Sequence, residues 1–229
     1  MESKKMNNDY YFHEQFRMLR AKIGHLAEKT NFKIVAVTSA IAGEGKSLCA
    51  INLAKSFAAT SKQKILLIDA DLRKAEMAGR LGIPPVPGLG EFLRGSASAN
   101  DILRNSSTRG FHVIPAGTRT VDPGDVLGGN VLGKLLGNLR DHFHLVILDT
   151  PPILPVADTL SLRNLVDGFL LIFRVDFTPY HLFRQAFEEV GEEKVFGVVL
   201  NGIQPKSQKY YHRYYGSYYQ KVGREEPGK

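Results

Sequence analysis

The sequence contains only one cysteine and no long apolar segment, and both absences limit what the protein can be. The single cysteine, Cys49, excludes an internal disulfide bond. No run of eighteen apolar residues is present, so the sequence predicts no transmembrane helix. Residues 1–5 lack the apolar segment of a secretory signal peptide. We therefore expect a cytoplasmic protein that reaches a membrane only through a partner or through surface charge.

The composition fits one globular α/β domain with extensions. The chain has 229 residues, of which 43% are hydrophobic and 23% are charged. Its formal net charge of +7 is compatible with an acidic partner, such as nucleic acid, an anionic membrane surface or a nucleotide. Simple solubility explains a charge of this size equally well.

A regular apolar spacing near the N-terminus predicts an amphipathic helix over residues 10–28. The apolar residues recur at intervals of four, three, four and three positions, which places them on one helical face. They are Phe12, Phe16, Leu19, Ile23 and Leu26. Residues 1–9 are polar and are expected to be disordered.

The central part of the chain alternates apolar strands with helices. Continuous apolar runs predict strands that are covered on both faces, and the helices between them predict parallel pairing. The expected fold class is therefore α/β, with a doubly wound and mostly parallel sheet. The strands are predicted at 33–39, 65–68, 111–114, 145–148, 168–173 and 195–200, and the helices at 46–60, 89–94, 100–104, 125–141 and 179–190.

A phosphate-binding loop is predicted at residues 40–47, between a strand and a helix. Gly43 and Gly45 allow the backbone to fold around phosphate groups so that its N–H groups point inward. Lys46 is expected to contact the β- and γ-phosphates of ATP, and the Ser47 hydroxyl to bind Mg²⁺. The predicted fold is therefore that of a P-loop NTPase. The nucleotide-binding set comprises Ala42, Gly43, Glu44, Gly45, Lys46, Ser47 and Leu48.

Three aspartates follow predicted strands and should lie beside this loop. Asp69 and Asp71 come after the strand at 65–68, and Asp149 follows the strand at 145–148. In a doubly wound sheet, ligands bind at the carboxyl ends of the strands. Three carboxylates there are enough both to bind Mg²⁺ and to accept a proton from a hydroxyl substrate. A single aspartate at such a position more often caps a loop or a helix.

Two further charged residues each have two interpretations. Asp158 is either a site residue or the N-cap of a helix that contains Leu160 and Leu162. Arg73 is expected to pair either with phosphate or with Asp71.

Tyrosine is concentrated near the C-terminal end of the chain. Six of the nine tyrosines lie within ten residues, after the last segment with core character. Folded domains bury tyrosine rings in cores and interfaces, so this run predicts a flexible tail that presents phenol groups. The chain then divides into an N-terminal helix at 1–28, a P-loop domain at 29–204 and a tail at 205–229. The six tyrosines are Tyr210, Tyr211, Tyr214, Tyr215, Tyr218 and Tyr219.

With these motifs, the chain resembles the bacterial tyrosine kinases of polysaccharide export, which are P-loop enzymes. Residues 43–47 resemble the Walker A motif of that family, residues 65–73 its Walker A′ motif and residues 145–152 its Walker B motif. The tyrosine-rich segment is similar to the family's autophosphorylation tail. Relatives in cell division and plasmid partition share the first three motifs, whereas the combination with the tail is specific.

The charged face of the N-terminal helix matches the family's oligomerisation pattern E-x-x-R-x-x-R. The matching residues are Glu14, Arg17 and Arg20. The resemblance implies subunit contacts through bidentate Arg–carboxylate pairs. Without the resemblance, such a face would be interpreted as simply solvated.

The resemblance implies an ATP- and Mg²⁺-dependent tyrosine autokinase that controls capsule or exopolysaccharide production. Lys46 would bind the nucleotide, and Asp69 would be the candidate base. Mg²⁺ would be held by Ser47, Asp71 and Asp149. The implied partners are a transmembrane polysaccharide co-polymerase that activates the kinase, further copies of the chain in a ring, and a cognate tyrosine phosphatase. The chain resembles the split form of the family, which would work at the inner face of the membrane through its partner.

Two other functions are compatible with parts of the sequence. A partition- or division-type ATPase would use ATP to dimerise and attach to DNA or a membrane, which the basic charge favours. Such ATPases usually carry a second lysine early in the loop, where this chain has Ile41. An aromatic and basic tail is also suited to stacking on single-stranded nucleic acid, but that interpretation leaves the phosphate-binding loop unexplained. Nucleic acid is therefore not expected as a partner.

Overall fold

The computed structural model describes residues 2–60, 63–105, 110–121 and 123–203. These ranges contain the predicted N-terminal helix and nearly all of the predicted P-loop domain. The predicted tail at 205–229, with its six tyrosines, lies outside the described residues. Its flexibility and its role as phosphoacceptor therefore stay predictions.

The described residues form one sheet of seven strands. They are β1 (Ile34–Ser39), β2 (Ile65–Asp69), β3 (Arg104–Asn105), β4 (His112–Ile114), β5 (Leu145–Asp149), β6 (Gly168–Arg174) and β7 (Val195–Asn201). Their order across the sheet is β3-β4-β2-β5-β1-β6-β7. All neighbouring strands are parallel except β3 and β4, which are antiparallel. The predicted mostly parallel α/β sheet is confirmed.

Helices connect these strands. They are α1 (Glu2–Thr30), α2 (Lys46–Ala58), α3 (Met77–Leu81), α4 (Leu89–Leu93), α5 (Ala99–Ile102), α6 (Gly124–Leu127), α7 (Asn130–His142), α8 (Asp158–Ser161) and α9 (Tyr180–Val190). A 3-10 turn at Glu192–Lys194 precedes β7. Within the described ranges, none of the helices has the length and apolar content that crossing a membrane requires.

Helix layers cover both faces of the sheet. Strands β1, β2 and β5 are buried along their whole length, because their alternate side chains enter a separate core on each face. The core on one side includes Phe16 of α1 with Cys49 and Leu53 of α2. The core on the other side includes Leu132 of α7 and Val190 of α9. The doubly wound arrangement brings the carboxyl ends of the parallel strands to one edge.

Helix α1 contains the predicted amphipathic helix and packs on α2 through its apolar face. Phe16 and Ile23 are buried. The Arg20 guanidinium donates a hydrogen bond to the Ser56 carbonyl at 2.7 Å, and the Ser56 hydroxyl donates to the Phe16 carbonyl at 3.1 Å. One arginine of the predicted oligomerisation motif thus also attaches its helix to the rest of the subunit.

Three details differ from the sequence-based expectations. Disorder is predicted at 1–9, but α1 begins at Glu2, where no glycine or proline opposes helix formation. The single helix predicted at 125–141 is divided into α6 and α7 by a pair of glycines, which disfavour a helix interior. The end of the helix predicted at 100–104 belongs to β3, a two-residue strand too short to show a periodic pattern.

Candidate active site

The phosphate-binding loop joins β1 to α2 at the carboxyl edge of the sheet. Gly43 and Gly45 have φ angles of 87° and 95°, in the left-handed region that glycine adopts without steric penalty. Gly45 is the N-cap of α2, and the helix begins at Lys46. The first turn of this helix directs unpaired N–H groups and partial positive charge toward the loop. The strand–loop–helix context of the predicted motif is therefore present.

A cavity of about 190 Å³ opens beside the loop. It is lined by five of the seven predicted nucleotide-binding residues and by all three predicted aspartates. The other two, Ala42 and Glu44, are within the described part of the chain but do not line it. The segment after β2 adds Lys74, Glu76 and Arg80 to the wall, which sequence reasoning did not predict.

Asp149 is a buried carboxyl group with an unused acceptor atom. It is 2% exposed, and its Oδ1 atom has no hydrogen-bond partner among the described residues. Burial raises the pKa of Asp149 to about 7, although the Ser47 hydroxyl and the Lys46 ammonium act in the opposite direction. Buried polar atoms are normally satisfied, so this oxygen indicates a group that receives a ligand.

Asp69 and Asp71 organise the segment that follows β2. The Asp69 carboxylate accepts hydrogen bonds from the N–H groups of Asp71 and Met77, both at 3.2 Å. The Asp71 carboxylate accepts the Lys74 N–H at 3.1 Å. Burial, reinforced by the negative charge of Asp149, raises the pKa of Asp69 well above its usual range. Asp69 and Asp71 therefore cap backbone groups and also line the cavity.

The oxygen donors of the cavity fit a magnesium ion. Ser47, Asp71 and Asp149 offer a hydroxyl and two carboxylates, which Mg²⁺ accepts together with water and phosphate oxygens. The unpartnered Oδ1 of Asp149 is one such donor. In the described ranges, no group of three or more His, Cys, Asp and Glu side chains is placed to hold a metal ion.

Arg73 forms a bidentate ion pair with Asp158. Its Nε and Nη2 atoms lie 2.6 and 3.0 Å from the two carboxylate oxygens of Asp158, and its Nη1 donates to the Val121 carbonyl at 2.5 Å. Of the two expected partners of Arg73, Asp71 is therefore wrong, and phosphate stays a prediction. Asp158 is buried in the first turn of α8, whose N-cap is Ala157, so the N-cap interpretation of Asp158 is also wrong. The pair instead ties the segment after β2 to α8.

Three polar residues from the other half of the sheet hold the loop and were not predicted. Arg174 donates to the Gly43 carbonyl at 2.8 Å, and Asn201 Nδ2 donates to the Glu44 carbonyl at 2.8 Å. The Thr178 hydroxyl donates to the Glu44 carboxylate at 2.5 Å. Arg174 and Asn201 end β6 and β7, so the strand-end rule that located the aspartates would also have located them.

Comparison with known proteins places this arrangement in a family. A family model described as an AAA domain matches residues 32–172. The chain is 34% identical to the tyrosine-protein kinase YwqD of Bacillus subtilis, over 89% of this chain and 86% of YwqD. It is 33% identical to the tyrosine-protein kinase CpsD of Streptococcus agalactiae, over 83% of this chain and 82% of CpsD.

Other relatives are much longer than this chain. The chain is 31% identical to the succinoglycan biosynthesis transport protein ExoP of Rhizobium meliloti, over 91% of its own length but only 28% of ExoP. The tyrosine-protein kinase ptk of Acinetobacter johnsonii is likewise covered over 28% of its length. The match therefore concerns one part of these longer proteins.

Solved structures give the same assignment. The kinase domain of the Escherichia coli tyrosine kinase ETK superposes with a TM-score of 0.80 at 30% identity, over 83% of this chain and 75% of that structure. A plasmid partition protein from Borrelia burgdorferi shares the fold, with a TM-score of 0.59 at 20% identity, over 79% of this chain and 86% of that structure. From the matched sequence, the shared fold and the assembled P-loop cavity, the chain belongs to the family of bacterial tyrosine-protein kinases.

Proposed function

We propose that the protein transfers the γ-phosphoryl group of ATP to tyrosines of its own C-terminal segment. The observation that carries this proposal is the convergence of Lys46, Ser47 and three strand-end aspartates on one cavity. The proposed acceptors are the six tyrosines within residues 210–219. Membership of a tyrosine-kinase family supports tyrosine as the acceptor.

The loop and its flanking residues have distinct roles in the proposed reaction. The Lys46 ammonium neutralises the β- and γ-phosphates, and the loop N–H groups hold the phosphate oxygens. Ser47, Asp71 and Asp149 hold Mg²⁺ through their oxygens. Bound Mg-ATP supplies the phosphoryl group and the metal charge that offsets the negative charge of transfer.

Asp69 is the proposed proton acceptor. It takes the phenol proton as the tyrosine oxygen bonds to phosphorus and the bond between phosphorus and ADP breaks. Burial and the neighbouring charge of Asp149 raise its pKa, so it binds a proton more strongly than an ordinary carboxylate does. An acceptor carboxylate with a raised pKa is better matched to a phenol.

We expect transfer to occur between neighbouring subunits. The tyrosines are accompanied by basic residues that attract an unmodified tail to the aspartates of a neighbouring cavity. Each added phosphate contributes about −1.5 to −2 charges, so the phosphorylated tail is repelled from the same aspartates. The basic residues are Lys206, Lys209, Arg213, Lys221 and Arg224.

The proposed setting is polysaccharide export at the inner face of the membrane. A transmembrane co-polymerase would activate the kinase, a tyrosine phosphatase would reset it, and subunits would assemble into a ring through Glu14, Arg17 and Arg20. The name of ExoP, a succinoglycan biosynthesis transport protein, supports the connection with polysaccharide export. The state of tail phosphorylation would control assembly and therefore polymer production.

Mass spectrometry of the purified protein after incubation with Mg-ATP tests the proposal. Phosphate is expected on tyrosines 210–219 in the wild type, alone or with a cytoplasmic segment of the co-polymerase, but not in Lys46→Met. ATP hydrolysis without tyrosine phosphate under both conditions would contradict the autokinase and favour a nucleotide-switched ATPase.

A mixing experiment separates transfer within a subunit from transfer between subunits. Lys46→Met, which keeps the tail but lacks the essential ammonium, is incubated with a chain truncated after residue 204. Phosphate on the tail of Lys46→Met is expected, since the truncated chain retains the cavity. An unmodified tail in this mixture, with efficient modification of the wild type, would show that each subunit phosphorylates itself.

A further inference from the structure

Glu44 belongs to the phosphate-binding loop, but its side chain is turned into the protein. The residue is fully buried. One carboxylate oxygen accepts the Ile41 N–H at 2.7 Å, and the other accepts the Thr178 hydroxyl at 2.5 Å. A buried carboxylate is strongly unfavourable unless such donors satisfy it. Glu44 therefore closes the loop on itself and attaches it to the segment that follows β6.

Two carbonyl groups of the loop are held from the same side of the sheet. Arg174 donates to the Gly43 carbonyl and Asn201 to the Glu44 carbonyl, both at 2.8 Å. The Arg174 guanidinium also lies over the ring of Phe177, with its carbon 4.7 Å from the ring centre. These donors come from the ends of β6 and β7, which are anchored in the sheet by parallel pairing.

Because the peptide bond is planar, these contacts to carbonyl groups also fix the directions of the N–H groups that follow them. In a trans peptide the carbonyl and the N–H of the next residue point in opposite directions. Holding the Gly43 carbonyl on Arg174 therefore directs the Glu44 N–H away from Arg174. Holding the Glu44 carbonyl on Asn201 directs the Gly45 N–H away from Asn201 in the same manner. Loop N–H groups are the donors that bind phosphate oxygens in this type of site.

We infer that Arg174, Thr178 and Asn201 are positioning residues that hold the loop N–H groups of Glu44 and Gly45 in the orientation that binds nucleotide phosphates. Glu44 takes part as the buried anchor of the loop. This inference deepens the proposed function and rests on its nucleotide site, but it does not depend on which hydroxyl accepts the phosphoryl group.

The test compares a variant that lacks the Thr178 hydroxyl with a variant that keeps a hydroxyl at this position. Thr178→Val keeps the shape of the side chain but removes the donor to Glu44, whereas Thr178→Ser keeps the donor. Isothermal titration of the full chain with Mg-ADP is expected to show about tenfold weaker binding by Thr178→Val, which corresponds to about 1.4 kcal/mol. Thr178→Ser should bind within about twofold of the wild type. The KM for ATP should rise in Thr178→Val, with little change in the KM for a tyrosine peptide.

Thr159→Val is a matched control for the loss of a buried hydroxyl. Thr159 is fully buried, and its hydroxyl donates to the Pro151 carbonyl at 2.7 Å rather than to the loop. This variant should lose thermal stability comparably to Thr178→Val but retain the ADP affinity of the wild type. Equal ADP affinity in Thr178→Val and wild type would overturn the inference, and so would equal losses of affinity in Thr178→Val and Thr159→Val.

A second variant tests the contact of Asn201 with the loop separately. Asn201→Asp keeps the size of the side chain but replaces the donor to the Glu44 carbonyl with a carboxylate oxygen. ADP affinity should fall by at least tenfold, and unchanged affinity would contradict the inference. A wild type that binds ADP but places no phosphate on tyrosine, with or without the co-polymerase segment, would refute the autokinase. These affinity comparisons would still decide the role of the positioning residues.

Discussion

Asp69 and Asp149 are register partners at the carboxyl ends of the adjacent parallel strands β2 and β5. Each is 2% exposed, and the charge of Asp149 adds to the effect of burial on the pKa of Asp69. In the nucleotide-free protein, ionisation of both carboxyl groups is electrostatically unfavourable. Cations beside them, such as the Lys46 ammonium, make the same arrangement favourable. The pair is therefore suited to a cationic ligand and destabilises the ligand-free protein.

We expect Asp149→Asn to stabilise the nucleotide-free protein above pH 7 and to abolish phosphorylation. Burial raises the pKa of Asp149 from 3.8 to about 7 in the folded protein. The unfolded chain loses this proton near pH 4, but the folded protein retains it until about pH 7. The free energy of unfolding should therefore fall as the pH rises through this interval. Urea unfolding of the wild type between pH 5 and 8.5 measures that fall.

The Asn variant provides the comparison for this pH dependence. It has no carboxyl group to ionise at position 149, so its free energy of unfolding should fall less over the same range. Mg-ADP should stabilise the wild type more at pH 8 than at pH 6, because the ion binds the deprotonated carboxylate. Identical pH profiles for the wild type and Asp149→Asn would contradict the assignment of this titration to Asp149.

The ion pair between Arg73 and Asp158 should contribute measurably to stability. Asp158 is buried, while the Arg73 side chain remains 33% exposed, so solvent weakens the pair only in part. Asp158→Ala removes the carboxylate from both guanidinium nitrogens and should lower the free energy of unfolding by about 2 kcal/mol. Guanidinium unfolding at fixed pH measures the change.

The exposed pair of Arg184 and Glu188 is a control for the loss of one carboxylate. Its two side chains are 69% and 61% exposed at a separation of 2.8 Å. Glu188→Ala should change the free energy of unfolding by less than about 0.5 kcal/mol. Similar losses for Asp158→Ala and Glu188→Ala would mean that burial does not strengthen the Arg73 pair.

Much of the fold could be predicted from local sequence patterns. Apolar runs located the central strands, because a strand covered on both faces needs apolar side chains at every position. Two of the short elements, β3 and α3, were missed. Strand β3 has two residues and α3 has five, and neither is long enough to show a period of two or 3.6. Their positions depend on tertiary contacts that the sequence does not display.

The acidic half of the site was predicted from the strand ends, whereas the partners of the residues that hold the loop could not be predicted from the sequence. Asp69 and Asp149 follow apolar strands directly, and their chemistry points to Mg²⁺. Thr178 acts through a carboxylate 134 positions earlier in the chain. Asn201 acts through a carbonyl 157 positions earlier. Threonine and asparagine are common in loops and turns, so without the fold their residue types do not indicate these partners.

The two arginines of the oligomerisation motif should differ in their roles. Arg17 should act only at the surface, whereas Arg20 should also stabilise its own subunit. Arg17 is 57% exposed and pairs with Glu14 in the same helix at 3.1 Å. Arg17→Ala should shift the protein from oligomers toward monomers and change the free energy of unfolding by less than about 0.5 kcal/mol. Arg20→Ala should shift the protein toward monomers and also lower the free energy of unfolding by about 1 kcal/mol, because it removes the bond to the Ser56 carbonyl.

Light scattering after size-exclusion chromatography measures the molar mass of each variant, and urea unfolding measures its stability. Arg184→Ala, which removes an exposed arginine from a different helix, controls for the loss of one positive charge. An unchanged molar mass for Arg17→Ala at low micromolar concentration would mean that this motif does not mediate subunit contacts.

Asp69→Asn should separate phosphoryl transfer from nucleotide binding. If Asp69 is the proton acceptor, its amide cannot take the phenol proton, so kcat should fall by at least about 100-fold. Mg-ADP affinity should stay within about threefold of the wild type, since Lys46 and the predicted metal ligands remain. Rapid-quench measurement of tail phosphorylation and calorimetric titration with Mg-ADP give the two quantities.

The experiment must also distinguish a structural role for Asp69, which its two accepted hydrogen bonds suggest. Its carboxylate accepts the N–H groups of Asp71 and Met77, and an asparagine amide oxygen can satisfy only one side of that arrangement. If Asp69 mainly shapes the segment after β2, Asp69→Asn should lose Mg-ADP affinity in proportion to kcat, because Asp71 would be displaced. A proton acceptor requires the opposite pattern, with kcat lost and affinity kept. The ratio of the two losses therefore decides between a chemical and a structural role for this carboxylate.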